Sequence, residues 1–172
     1  MLCIVLCSAD KIANAQTGWN VEIRPSVNFP TEVSGAYGKN TGFGIEGKTW
    51  FGLTPTVGTY LGWGWNLFPA ENRADFSYEE TGFTLGMQYQ HLRESQPGYF
   101  VAAGGVYNHI ETEKREDHYD SDSGHKFGWQ IESGVLFRIS PKLLVKPGLR
   151  YRNLQAARLQ YFSIGTGFFF GR

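Results

Sequence analysis

Apolar and polar residues alternate with a period of two along most of this chain, and the alternation restarts about eight times, with turn-forming residues between the repeats. In the first repeat Trp19, Val21, Ile23, Val27 and Phe29 share one face, while Asn20, Glu22, Arg24, Ser26 and Asn28 share the other. Such a segment is a strand held between two opposite solvents. The second sets Phe43, Ile45, Phe51 and Leu53 against Gly44, Glu46, Lys48 and Trp50, and the third sets Val57, Leu61, Trp63, Trp65 and Leu67 against Gly58, Tyr60, Gly62, Gly64 and Asn66. The fourth opposes Phe83, Leu85, Met87 and Tyr89 to Gly82, Thr84, Gly86, Gln88 and Gln90.

The fifth repeat, residues 99–110, admits both parities, because Val101, Ala103 and Tyr107 compete with Phe100, Ala102, Val106 and Ile110 for the apolar face. The sixth places Phe127, Trp129, Ile131, Val135, Phe137 and Ile139 opposite Gly128, Gln130, Glu132, Gly134 and Arg138. The seventh opposes Leu143, Val145, Leu149 and Tyr151 to Lys146, Gly148, Arg150 and Arg152, and the eighth opposes Phe162, Ile164, Phe168 and Phe170 to Tyr161, Ser163, Gly165, Gly167 and Phe169. Pro25 and Pro147 interrupt this pattern, since proline cannot donate a ladder hydrogen bond, and a bulge or strand end is expected near each.

In the seven strands of clear parity the apolar face carries no Asp, Glu, Lys or Arg. A soluble sandwich would put its charges outside. A closed ring of eight strands has an interior just wide enough for side chains, so the glycine-rich, charged face fits inside and the continuous Phe/Trp/Leu face fits lipid. Closure also removes the open edges that a bilayer does not tolerate. The expected fold is therefore all-β: an eight-stranded antiparallel up-and-down transmembrane β-barrel. Long polar links at 31–41, 69–80 and 111–125 mostly alternate with short turns at 54–56 and 140–142. This favours both termini on the side of the short turns, the periplasmic side in barrels of this kind.

Composition agrees. The 172 residues contain 22 Gly, 13 Phe, 9 Tyr and 5 Trp, with 19% charged residues and a net charge of zero. That balance excludes the basic surplus of a nucleic-acid binder and the apolar poverty of a disordered chain. No stretch after residue 20 approaches the roughly 20 apolar residues that a membrane helix needs. The apolar run from Leu2 to Leu6 and the Ala13-Asn14-Ala15 site before Gln16 read as the end of an export signal, residues 1–15, whose true start lies upstream. The barrel then occupies 16–172 as one domain. Cys3 and Cys7 both fall in the signal, which leaves the mature chain without disulfides.

Ala13-Asn14-Ala15-Gln16, the seventh-strand sequence Leu144-Val145-Lys146-Pro147-Gly148-Leu149-Arg150-Tyr151 and the terminal Phe168-Phe169-Phe170 give the chain a family likeness. Residues 16–172 resemble the small OmpA/OmpX-type barrels, in particular the single-domain outer-membrane β-barrel proteins of Bacteroidetes and related bacteria. The resemblance implies the outer membrane of a Gram-negative cell, a monomer surrounded by lipid and lipopolysaccharide, and delivery by the barrel-insertion machinery, which reads the aromatic last strand. The chain departs from that pattern by continuing to Gly171-Arg172. No peptidoglycan-binding domain is expected, so that role of longer relatives is not implied.

The candidate site is the set of inward charges: Glu22, Glu46 and Glu132 against Arg24, Lys48, Arg138, Lys146, Arg150 and Arg152. Isolated charges in a narrow interior are costly, so these are expected to pair with one another. The leading expectation is a non-enzymatic barrel with a structural or surface-interaction role, its lumen plugged by Trp50, Tyr60, Phe169 and this network. Inward glycines complicate the plug, because they leave room for water pockets or a small ligand. A narrow pore, anion-preferring because bases outnumber acids, is the alternative. A lipid-modifying enzyme is the second alternative, with His109 and Glu111, or Asp75 and Ser77, at the outer rim, although nothing in their spacing is specific. Asp120, Asp122 and Gly124 faintly suggest a calcium loop but lack its spacing and its final Glu, so no metal and no cofactor are expected. Trp19, Trp63, Trp65, Trp129 and Tyr151 are expected as interfacial girdle residues.

Overall fold

The computed structural model describes residues 19–32, 40–69, 76–92, 96–114, 124–154 and 158–171. The segment read as an export signal, both cysteines, Asp75, and Asp120 and Asp122 lie outside the described residues. The described residues form eight strands: β1 (Trp19–Glu32), β2 (Gly42–Gly52), β3 (Val57–Pro69), β4 (Phe76–His91), β5 (Gly98–Lys114), β6 (Gly124–Ser140), β7 (Leu143–Leu154) and β8 (Leu159–Phe170). Each pairs antiparallel with the next, and β8 pairs with β1, so the sheet closes. This is the expected up-and-down barrel.

Alternation places the side chains as the pattern requires. Asn20, Glu22, Arg24 and Asn28 of β1 are buried, while Trp19, Val21, Ile23, Val27 and Phe29 are exposed, and the same division runs round the ring. Large apolar side chains on every strand therefore form a continuous exposed band. Leaving that much apolar surface in water would be strongly unfavourable, whereas in hydrocarbon it is solvated. At the short-turn end, Leu53 and Thr54 amides donate to the Val57 carbonyl at 2.9 Å, and the Thr54 hydroxyl accepts from the Val57 amide at 2.9 Å. The pattern of residues 54–56 thus folds as a locally satisfied turn.

Three details differ from expectation. β4 begins at Phe76 rather than after Glu80, and β5 and β6 extend into the segment read as a link, because alternation continues there with polar residues on the outer face. The fifth strand resolves with Phe100, Ala102, Val106 and Ile110 inward and Tyr99, Val101 and Tyr107 outward. Pro25 and Pro147 produce no bulge. Pro25 pairs in register with Ile45, and on its other side Ile23↔Phe168 and Ser26↔Gly165 share one register. Pro147 pairs with Thr166, while Gly134↔Gly148 and Phe137↔Val145 on the β6 side also share one register. A strand residue points its N–H at only one neighbour, so a proline removes rungs on one side without displacing the chain. The register shifts fall instead between Pro30 and Glu32 and between Arg138 and Ser140.

Candidate functional site

Nine charged side chains are buried inside the barrel: Glu22, Glu46, Glu80 and Glu132 with Arg24, Lys48, Lys146, Arg150 and Arg152. Register brings them together from distant parts of the chain. Glu132 of β6 lies at the centre and accepts from Arg24 Nη1 of β1 at 2.6 Å, Lys48 Nζ of β2 at 2.8 Å, and Arg150 Nε and Nη2 of β7 at 3.2 and 3.1 Å. Towards the long-loop end, Glu46 accepts from Arg150 Nη2, lies 3.3 Å from Lys48 and accepts at 3.5 Å from Arg152. Arg152 then donates to Glu80 at 2.9 Å. Towards the short-turn end, Glu22 lies 3.8 Å from Arg24 and accepts from Lys146 at 2.6 Å.

These contacts make one ladder of alternating sign along the lumen: Glu80, Arg152, Glu46, Arg150 with Lys48, Glu132, Arg24, Glu22, Lys146. Neutral groups complete its hydrogen bonds. Gln130 Oε1 accepts from Arg152 Nε at 3.1 Å and Nη2 at 2.7 Å, and Thr84 donates to Glu46 at 3.1 Å. Glu80 also accepts from Tyr161 Oη at 2.6 Å and from Asn108 Nδ2. A buried charge flanked on each side by opposite charge and further hydrogen bonds avoids most of the cost of leaving water.

Apolar clusters lie above and below the ladder. Phe68, Tyr78, Val106, Ile110, Leu154, Leu159 and Tyr161 pack together at the long-loop end, and Trp50, Tyr60, Ala102, Leu144 and Phe169 at the short-turn end. The inward glycines receive large side chains from adjacent strands. The indole of Trp50 lies against Gly58, and the Tyr60 hydroxyl sits 2.6 Å from where a Cβ would stand on either Gly86 or Gly104. At Gly58, Gly86 and Gly104 the space is taken by these aromatic side chains, and at Gly44, Gly64 and Gly82 by Asn66, Glu46 and Asn108.

Eight of the nine charged residues read from the sequence meet in the ladder, and Arg138 does not. It keeps inward parity but is exposed at the short-turn end beside the β6–β7 register shift, and it makes no ion pair among the described residues. Glu80 was missed, because the segment before residue 81 read as a link. The available signal was the even parity of β4 continued backward through Glu80 and Tyr78.

The rim pairs are less organised. His109 Nε2 and Glu111 Oε1 are 2.8 Å apart on the outer face, with His125 and Tyr107 beside them. Ser77 lies on the outer face of β4, and its suggested partner Asp75 is outside the described residues. Among the described residues no group of three His, Cys, Asp or Glu could hold a metal ion. Aromatic pairs ring both ends of the exposed band: Trp19 with Phe51 and Tyr89 with Tyr99 at one, Phe43 with Trp65 and Trp129 with Tyr151 at the other. Trp63 falls at the middle of β3, inside the band rather than at its rim.

A closed eight-stranded ring with apolar side chains outward and charges inward defines a small transmembrane β-barrel. Solved structures of that class are similar to it. Neisserial surface protein A matches with a TM-score of 0.67 at 11% identity, covering 88% of this chain and 96% of that one. Ail, the attachment invasion locus protein of Yersinia pestis, gives 0.59 at 13% identity, covering 90% and 100%. The outer membrane protein OprG from Pseudomonas aeruginosa gives 0.59 at 12% identity, covering 92% and 99%. At these identities the likeness is one of fold: this chain has the outer-membrane β-barrel fold. No protein-family model matches the chain, and no curated protein sequence does.

Proposed function

We propose that this chain is a non-enzymatic integral protein of a bacterial outer membrane, with a structural or surface-interaction role and a lumen filled by its own side chains. The observation that carries this reading is the filling of the interior by buried side chains, an ion-paired ladder with an apolar cluster towards each end. The fold shared with an attachment protein and a surface protein is compatible with a role at the loop end. In this reading the short turns face the periplasm and lipopolysaccharide surrounds the long-loop rim. The barrel-insertion machinery then assembles a monomer of the OmpA/OmpX-like kind.

A narrow anion-preferring pore is the second reading, favoured by the surplus of one base among the buried charges. It is weaker than the sequence implied, since Arg138 leaves the base count and Glu80 joins the acids. Planar-bilayer recording of the refolded protein separates the two. Rare, small openings are expected, and a large stable unit conductance would replace the filled-lumen reading with the pore.

A further inference from the structure

The short-turn half of the lumen contains a chain of donors that ends without an acceptor. Lys146 Nζ, which can only donate, gives a hydrogen bond to Gln88 Oε1 at 3.0 Å. That contact fixes the Gln88 amide, whose Nε2 then donates to Gln90 Oε1 at 3.1 Å. The Gln90 Nε2 group is thereby turned onward with two protons to donate, and it has no partner, although Gln90 is 1% exposed. A second donor-only group, the Trp50 indole N–H, is also buried without a partner. The two belong to one neighbourhood: the indole lies over Gly58, Gly58 faces Gln88 across β3 and β4, and Phe169 touches both Trp50 and Lys146.

Charge points the same way. The buried network holds five bases and four acids: Arg150 and Arg152 are matched by Glu46 and Glu80 towards the long loops, which leaves Arg24, Lys48 and Lys146 with Glu22 and Glu132 in the rest of the lumen, so the surplus falls on the short-turn side. Arg138 and Lys142 add exposed positive charge at this end, where no other carboxylate stands among the described residues. Among the described residues, the one buried side-chain acceptor without a hydrogen bond in this half, Glu22 Oε1, is turned towards Gly167 and Arg24. Water at the end of the relay would accept both hydrogen bonds but leave the surplus charge uncompensated in a medium of low dielectric constant.

We infer that a small monovalent anion of halide size is bound inside the short-turn half of the barrel, held by Gln90 Nε2 and the Trp50 indole N–H and balanced by Lys146. This goes beyond the filled-lumen reading and does not depend on whether the lumen conducts. The anion is a resident counter-charge, so it stabilises the folded state in proportion to its concentration.

The test is thermal unfolding of the refolded full chain in micelles, with chloride or bromide exchanged for gluconate at constant ionic strength. The wild-type midpoint should rise with halide concentration. Gln90→Glu supplies an acceptor and the missing negative charge, so its midpoint should lose that dependence, and Trp50→Phe should weaken it. Crystals grown in bromide should show an anomalous peak beside Gln90. Equal halide dependence in the wild type and in Gln90→Glu would overturn the site. So would crystals holding only an ordered water there under saturating bromide.

Discussion

Leu149 and Gln130 occupy neighbouring strands but face opposite solvents, and that difference sets what a charge does at each. Leu149, like Leu61 and Ile131, stands in the exposed apolar band, whereas Gln130 is buried and bonded to Arg152 and Tyr60. Arginine at Leu61, Ile131 or Leu149 should cost about 2–4 kcal/mol near the bilayer midplane. At Gln130 the same change acts by crowding and by placing a further cation beside Arg152. Urea refolding titrations in lipid vesicles distinguish these cases, and equal tolerance at all four positions would mean that the two faces are reversed. Glycines divide in the same way. A Cβ at Gly86 would meet the Ala103 carbonyl and the Tyr60 hydroxyl, so Gly86→Val should destabilise by roughly 1–3 kcal/mol through overpacking. Gly47 points outward with nothing within 4 Å, and Gly47→Ala should be neutral or mildly stabilising in the same titration.

At the scale of the strand, β8 joins β7 to β1 and so closes the ring. Deleting residues 161–172 exposes two edges whose unpaired N–H and C=O groups have no partner in hydrocarbon. Heat-modifiable folded protein should then be absent from outer-membrane fractions, and its recovery would show that closure does not need this strand. Seven of the strands were legible because each separates two solvents, so burial repeats every second residue. The fifth was not, for a physical reason. Ala102, Val106 and Ile110 belong to the lumen but pack in the apolar layers above and below the charges, and Phe100 lies under the Lys146 ammonium at 4.6 Å, so both faces of β5 are apolar. The start of β4 was hidden because Glu79, Thr81 and Ser77 put polar residues on its outer face beyond the apolar band, which erases the contrast that marks a strand. The prolines misled in the opposite direction, since a closed ladder absorbs a missing donor on one side without a change of register.

For the whole molecule, parity alone assigned Glu46, Glu132, Arg150 and every other ladder residue except Glu80 to the interior, but it left their pairing open. Arg24 and Glu132 are 108 positions apart, and only closure of the ring sets them 2.6 Å from each other. Glu132 is the member on which most depends, because Arg24, Lys48 and Arg150 all donate to it. Glu132→Ala should remove about 3–5 kcal/mol of stability, since it leaves buried cations without their shared carboxylate. It should also raise the frequency of openings in planar bilayers, as the freed Lys48 and Arg150 side chains leave the lumen centre for Glu46 or for water. Simple loss of volume would raise conductance as well, and a second variant separates the causes. Adding Lys48→Met to Glu132→Ala restores the charge balance while leaving the alanine space unfilled. If unpaired charge drives the openings, the double variant should return towards the quiet wild-type record. If volume drives them, it should remain as active as Glu132→Ala alone, and the ladder would then be packing rather than a lock.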